Sequence, residues 1–220
     1  WGTTEDGANV TAGGAGAKVT VLRTLYTSLD SYTGLTSTTP ATPVTVEATT
    51  GNTVYDAAIN APTILGLPDT SGSATTTNSA DTTAVTSLIG WMRGTGRSWN
   101  FADPLHSRPV ALTFGAELNG TTPDPTKPII KLFVGTNDGM IRIINNDSGA
   151  EEWAFIPKEL LPNQSTLSQD LTGEHILGMD DTPSFWINDV NNDAIIDQAA
   201  GDFVYMYIGM RRGVDKNGDG

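Results

Sequence analysis

The sequence predicts a mainly β chain, and three observations predict it. Thr and Gly are frequent, Pro is scattered, and the long Leu/Ala/Glu/Lys runs of helical proteins are missing. Past residue 107, short β-branched and aromatic runs alternate with clusters of Asn, Asp and Gly. Two clusters, Asn137-Asp138-Gly139 and Asn146-Asp147-Ser148-Gly149, carry residues that accept the positive φ of tight hairpins.

Taken in order, residues 9–16 form a Gly-rich turn and residues 18–26 read as a strand of imperfect alternation, buried in part on both faces. Residues 28–83 are dominated by Thr, Ser, Ala, Gly and Pro. They read as a tethered loop or linker, with 43–47 a candidate short strand. Val85, Leu88, Ile89 and Met92 then recur at helical spacing, after capping candidates at 81–83 and before Gly94, which predicts one short helix. Residues 108–114, 128–136, 140–145 and 151–156 read as strands, with Pro109 near the start of the first, where a missing N–H does least harm. Strand, turn, strand, turn, strand in so short a span is the up-and-down meander from which a propeller blade is made. The expected fold is therefore a partial β-propeller of antiparallel blades, preceded by one short helix and a loop-rich segment. The expected division is a Thr-rich segment at 1–84 and the first part of a propeller at 85–220. Starting at Trp1 and stopping inside an Asp-rich pattern, the chain reads as an internal piece of a longer protein.

The formal net charge of −13 argues against a nucleic-acid partner, because binding a phosphate backbone needs clustered Lys and Arg. Closely spaced Asp residues instead recruit divalent cations. No Cys is present, which excludes disulfides and thiolate metal sites. No apolar run approaches the roughly 20 residues needed to span a bilayer, so no transmembrane segment is expected.

The chemistry concentrates at 189–197, DVNNDAIID. Asp189, Asn191, Asp193 and Asp197 stand at positions one, three, five and nine of an EF-hand-like loop, and Ile195 at position seven offers its backbone carbonyl. A coiled loop turns alternate residues inward, so three carboxylates and an amide can surround one hard cation, Ca2+. Ile196 is expected to point away and anchor the loop in the core. Ala194 stands where such loops carry Gly, at a cost of about 1 kcal/mol if positive φ is required. Ala200 stands where they carry a bidentate Glu, so Asp197, water or Asp202 must complete the site. The same residues also read as an Asx-rich turn without metal. Residues 215–220, DKNGDG, repeat the start of the pattern.

Asp103, His106 and Ser107 invite a catalytic-triad reading, but adjacent residues on extended chain face opposite ways. The expectation is a buried polar turn in which His106 and Arg108 bond backbone carbonyls. His175 has no partner at zinc-ligand spacing. No catalytic residues are assigned, and no enzyme is expected.

Several runs carry a family resemblance: ADPLHSRPV at 102–110, LFVGTNDGM at 132–140, EWAFIPKELL at 152–161, HILGMDDTP at 175–183, the 189–197 loop, and GDFVY at 201–205 running to IGMRRG at 208–213. In this order they resemble the C-terminal β-propeller of the PilY/PilC proteins, tip adhesins and assembly factors of type IV pili. The likeness is specific over residues 86–213 and looser at 12–16 and 23–26. It implies a secreted module at the pilus tip or outer membrane, exported through the periplasm and acting with minor pilins and a host or abiotic surface. Its implied roles are pilus assembly, adhesion and twitching motility. It also implies a calcium loop on Asp189, Asn191, Asp193, Ile195 and Asp197, whose occupancy is linked to pilus extension and retraction. Residues 211–213 are followed by VDKN, which departs from the family pattern and implies an insertion.

Two other readings stay open. GTNDG at 135–139 followed by SGAEEW at 148–153 is also similar to the blade repeat of quinoprotein dehydrogenases, which would make the chain part of an enzyme. The acidic, Thr-rich composition also suits a structural subunit of a surface filament.

Overall fold

The computed structural model describes residues 14–29, 43–70, 78–97, 99–169 and 178–210. The described residues are mainly β, as the turn chemistry predicts. β1 (Leu25–Thr27), β2 (Val44–Thr45), β3 (Val110–Asn119), β4 (Thr122–Gly135), β5 (Ile141–Asn145) and β6 (Glu151–Phe155) form one mixed sheet in the order β2-β1-β6-β5-β4-β3. β3 to β6 are a four-stranded antiparallel meander. β1 joins β6 in parallel, and β2 lies antiparallel to β1. β7 (Ser184–Asn188) and β8 (Phe203–Tyr207) make a separate antiparallel hairpin. The described strands close into neither a barrel nor a ring of blades.

The β4–β5 turn follows from its residues. Gly139 takes φ 84° and donates its N–H to the Thr136 carbonyl, while Thr136 donates to the Met140 carbonyl. Gly149 plays the same part between β5 and β6, at φ 70°.

Of the expected 18–26 strand only the end, Leu25 and Tyr26, is observed as strand. Residues Ala15–Lys18 form a 3-10 turn, and Leu22 is left-handed at φ 64°, outside the β region that regular strand pairing requires. The Arg23 N–H bonds the Arg93 carbonyl at the end of a helix, so only Leu25–Thr27 is free to pair.

Among the described residues, α-helix enters in three places. α1 (Thr53–Asn60) lies inside the segment read as loop; the Asn52 side chain caps it by accepting the Val54 and Tyr55 N–H groups. It buries Val54, Tyr55 and Ala58, a stripe one turn long that the surrounding Thr and Ala conceal in the sequence. α2 (Ser79–Met92) is the expected helix, capped one turn earlier than foreseen by Asn78, whose side chain accepts the Asp81 N–H and donates back to the Asp81 carboxylate. Gly94, at φ 106°, ends it. α3 (Gln164–Gln169) follows a 3-10 turn over Lys158–Asn163.

The main core lies between these helices and the sheet. Val54, Val85, Ile89 and Met92 meet Leu25, Met140, Ala154, Leu160 and Leu161, all at most 1 % exposed. Burial of each large side chain contributes roughly 1.5–3 kcal/mol. The division drawn between residues 84 and 85 falls inside α2, and this core takes side chains from both sides of it. A second, smaller cluster of Leu112, Phe133 and Ile143 receives Phe185, Val204 and Met206 from the β7–β8 hairpin. Among the described residues no helix is long and apolar enough to cross a membrane.

Candidate functional site

Residues 189–197 leave β7 and fold as a tight coil. The Asp189 carboxylate accepts the N–H of Asp193 (3.3 Å) and of Ala194 (2.8 Å). Asn191 Oδ1 also accepts the Asp193 N–H, at 3.2 Å, and Asp193 Oδ1 accepts the Ile195 N–H at 2.8 Å. Asn191 Nδ2 donates to Asp193 Oδ2 at 2.9 Å. Each short side chain thus bonds an amide two to five residues ahead, which curls the backbone. Asn192 and Ala194 are left-handed, at φ 56° and 63°. The position where Gly was expected therefore demands positive φ, and Ala194 bears the strain.

The base of the loop is clamped by Asp202, which is buried. Its two oxygens accept the Val190 N–H (2.8 Å) and the Asp197 N–H (2.9 Å), tying together the two ends of the coil. The loop is also pinned to the main sheet. Pairing of β3 with β4 shifts register between Thr113 and Ala116, and Gly115 at this bulge has φ 119°. The bulge presents the Phe114 carbonyl to the Ile196 N–H at 3.1 Å, and a Cβ at Gly115 would stand 3.3 Å from Ile195. Ile196 is half-buried and anchors through its backbone, which corrects the expectation of a core side chain: a coil this short leaves position eight at the sheet edge.

Of the predicted ligands, Asp189, Asn191 and Asp193 are brought together by direct hydrogen bonds. Asp197 turns toward the next turn, where its Oδ1 accepts the Ala199 N–H at 2.8 Å. Among the described residues no three carboxylate or imidazole groups converge as a metal cluster. The donor set nonetheless fits a hard cation in kind. It consists of oxygens at alternate positions, and a carboxylate oxygen that accepts one N–H keeps a second lone pair. The 215–220 repeat, His175 and residues 211–213 lie outside the described residues.

The triad residues are dispersed. His106 Nδ1 lies 2.7 Å from Asp180 Oδ1, pairing an exposed imidazole with a buried carboxylate. Ser107 is buried and its Oγ accepts the Gly135 N–H at 2.9 Å. The Arg108 N–H donates to Thr182 Oγ1. The expectation of a carbonyl partner is thus corrected for His106, because the 178–182 segment packs against this turn and offers the Asp180 carboxylate first.

The largest group of buried charges among the described residues is one that the sequence reading does not single out. Arg142, fully buried on β5, donates to Asp138 (2.6 Å) and Glu151 (2.5 Å). Arg97 also reaches Asp138, at 3.2 Å, and Arg23 stands 3.7 Å from Glu151, an ion pair too long for a hydrogen bond. Burial by itself would raise the Asp138 pKa, but Arg142, then Arg97, the Thr136 hydroxyl and Arg23 outweigh it and hold it at about 2. Burial pushes Arg23 down to about 10, with Arg142 adding to the effect and Glu151 and Asp138 opposing it. One sign was legible: Arg142 interrupts an otherwise apolar strand, and a buried Arg needs carboxylate partners.

Neither family models, nor curated proteins, nor solved structures match this chain.

Proposed function

We propose that this chain is a non-enzymatic binding and assembly module, the opening part of a calcium-stabilised β-propeller of the kind that PilY/PilC proteins carry at the tip of type IV pili. The observation that carries this reading is the coil at 189–197, left-handed at Asn192 and Ala194, with its base held by Asp202 and its flank pinned at the Phe114 bulge. A four-stranded antiparallel meander followed by a separate hairpin also suits one blade and the start of another. The sequence likeness over residues 86–213 supplies the rest: export through the periplasm, a place at the cell surface with minor pilins, and a part in pilus assembly, adhesion and twitching motility.

Asp189, Asn191, Asp193 and the Ile195 carbonyl would hold the ion, with Asp197 completing the set by turning back from the Ala199 N–H, and the bound ion would supply positive charge that offsets the clustered carboxylates. The pinned flank then passes loop order to the β3–β4 edge. A non-catalytic role is supported by the one described histidine, whose neighbouring Ser107 hydroxyl is buried and committed to the Gly135 N–H.

Calorimetric titration of the chain with calcium tests the proposal, with Asp193→Ala as the control. Saturable heat that the variant loses is the expected result. No heat, with a thermal midpoint indifferent to chelator, would end the calcium reading. Unchanged piliation and twitching in a strain lacking the gene would end the pilus reading.

A further inference from the structure

We propose that the cavity of about 380 Å³ between the C-terminal end of α2 and the 137–139 turn is a binding site for a neutral sugar residue. Its walls include Trp91, Trp99, Arg97, Asp103 and Asn137, with Ser168 of α3 at one side. Pockets of this size take a small organic ligand, and a few convergent polar groups decide which one.

The chemistry excludes the simpler occupants. A cation is disfavoured because the Arg97 guanidinium already lies over the Trp91 ring, 4.4 Å from its centroid. A free anion is disfavoured because Arg97 spends two N–H groups on the buried Asp138 carboxylate, and Asp103 adds an exposed negative charge to the wall. The neighbouring buried network sets three arginines, Arg23, Arg97 and Arg142, against two carboxylates, Asp138 and Glu151. With Asp103 of the cavity wall counted, the formal charges are three against three, so the surroundings carry no formal excess for an ionic ligand to answer. A lipid tail is disfavoured by the polar groups in the wall.

A neutral ring bearing several hydroxyls meets none of these objections. The Asp103 carboxylate is an acceptor with no protein donor among the described residues, able to take two adjacent hydroxyls. Asn137 has committed its Oδ1 to the Gly178 N–H at 3.2 Å, which leaves its Nδ2 as a donor. Trp99 is half-buried, held against Gly16, and offers an indole surface to the C–H face of a pyranose. Apolar wall, acceptor and donor together match a sugar ring. None of these residues belongs to the 189–197 loop, so the proposal stands or falls apart from the calcium reading.

The test is a titration of the 15N-labelled chain with the methyl glycosides of glucose, galactose, mannose and N-acetylglucosamine, following the indole N–H signals of its five tryptophans. The expected result is a saturable shift of the Trp91 and Trp99 signals with at least one glycoside. Asp103→Ala, an exposed substitution expected to leave the urea midpoint close to that of the parent, is expected to weaken that binding by about tenfold, as for a lost charge-assisted hydrogen bond. The proposal is overturned if no glycoside shifts these two signals, or if Asp103→Ala leaves the titration as it was.

Discussion

Arg142 Nη2 donates to Asp138 Oδ2 across 2.6 Å, and both side chains are sealed from solvent. Asp138 belongs to the β4–β5 turn and Arg142 to β5, so the pair is local in the chain. Its other partners are not. Arg97 comes from beyond α2, Glu151 from β6 and Arg23 from the segment before β1. The network therefore staples the helical part of the chain to the first meander.

Breaking one member leaves the others charged and buried. Arg142→Met is expected to destabilise the chain by about 3–5 kcal/mol, read from the urea midpoint. Pairing it with Asp138→Asn should restore part of that loss. A single variant within about 1 kcal/mol of the parent would show that the network contributes little.

The same carboxylate sets an acid limit. The Asp138 pKa is about 2 in the folded chain against an ordinary 3.8, so the folded state favours the ionised form. Its contribution is complete above the ordinary value and is lost as pH falls through the folded one. Stability measured at stepwise pH should therefore drop between about pH 4 and 2, and Asp138→Asn should flatten that drop.

Ala194 holds φ 63° in the coil. Ala194→Gly relieves a strain of about 1 kcal/mol, which in a chain of this size raises the thermal midpoint by about 2–4 °C. A lower midpoint would mean that the left-handed turn is not adopted in solution.

Gly115 at φ 119° combines a left-handed backbone with close contact to Ile195. Gly115→Ala is expected to cost at least about 1 kcal/mol and to speed amide exchange at Ile196, whose N–H bonds the Phe114 carbonyl. Exchange at Ile196 as slow as in the parent would show that the bulge does not hold the loop.

Gly66 lies at φ 76° where an added Cβ would come within 1.9 Å of the Pro162 carbonyl oxygen. No side chain moves to relieve a backbone clash, so Gly66→Ala should destabilise by more than about 2 kcal/mol, again read from the urea midpoint.

The hairpins and the coil were legible because their causes lie within a few residues. Asn137-Asp138-Gly139 turns the chain, the β-branched runs on either side pair, and Asp189, Asn191 and Asp193 reach amides two to five residues ahead. The helix at Ser79–Met92 showed itself by spacing for the same reason. What the residues alone left undecided was everything that depends on distant partners. The 18–26 run is strand only at Leu25 and Tyr26 because Arg23 is drawn to Arg93 and Glu151, and α1 buries its short apolar stripe in the core that also holds sheet residues. His106 found Asp180 across 74 residues, and the Trp91–Trp99 cavity exists only where α2, α3 and a hairpin turn meet. Turn chemistry acts over a few bonds and is written in order along the chain; buried charge and cavities arise from groups that only packing brings within a few ångströms.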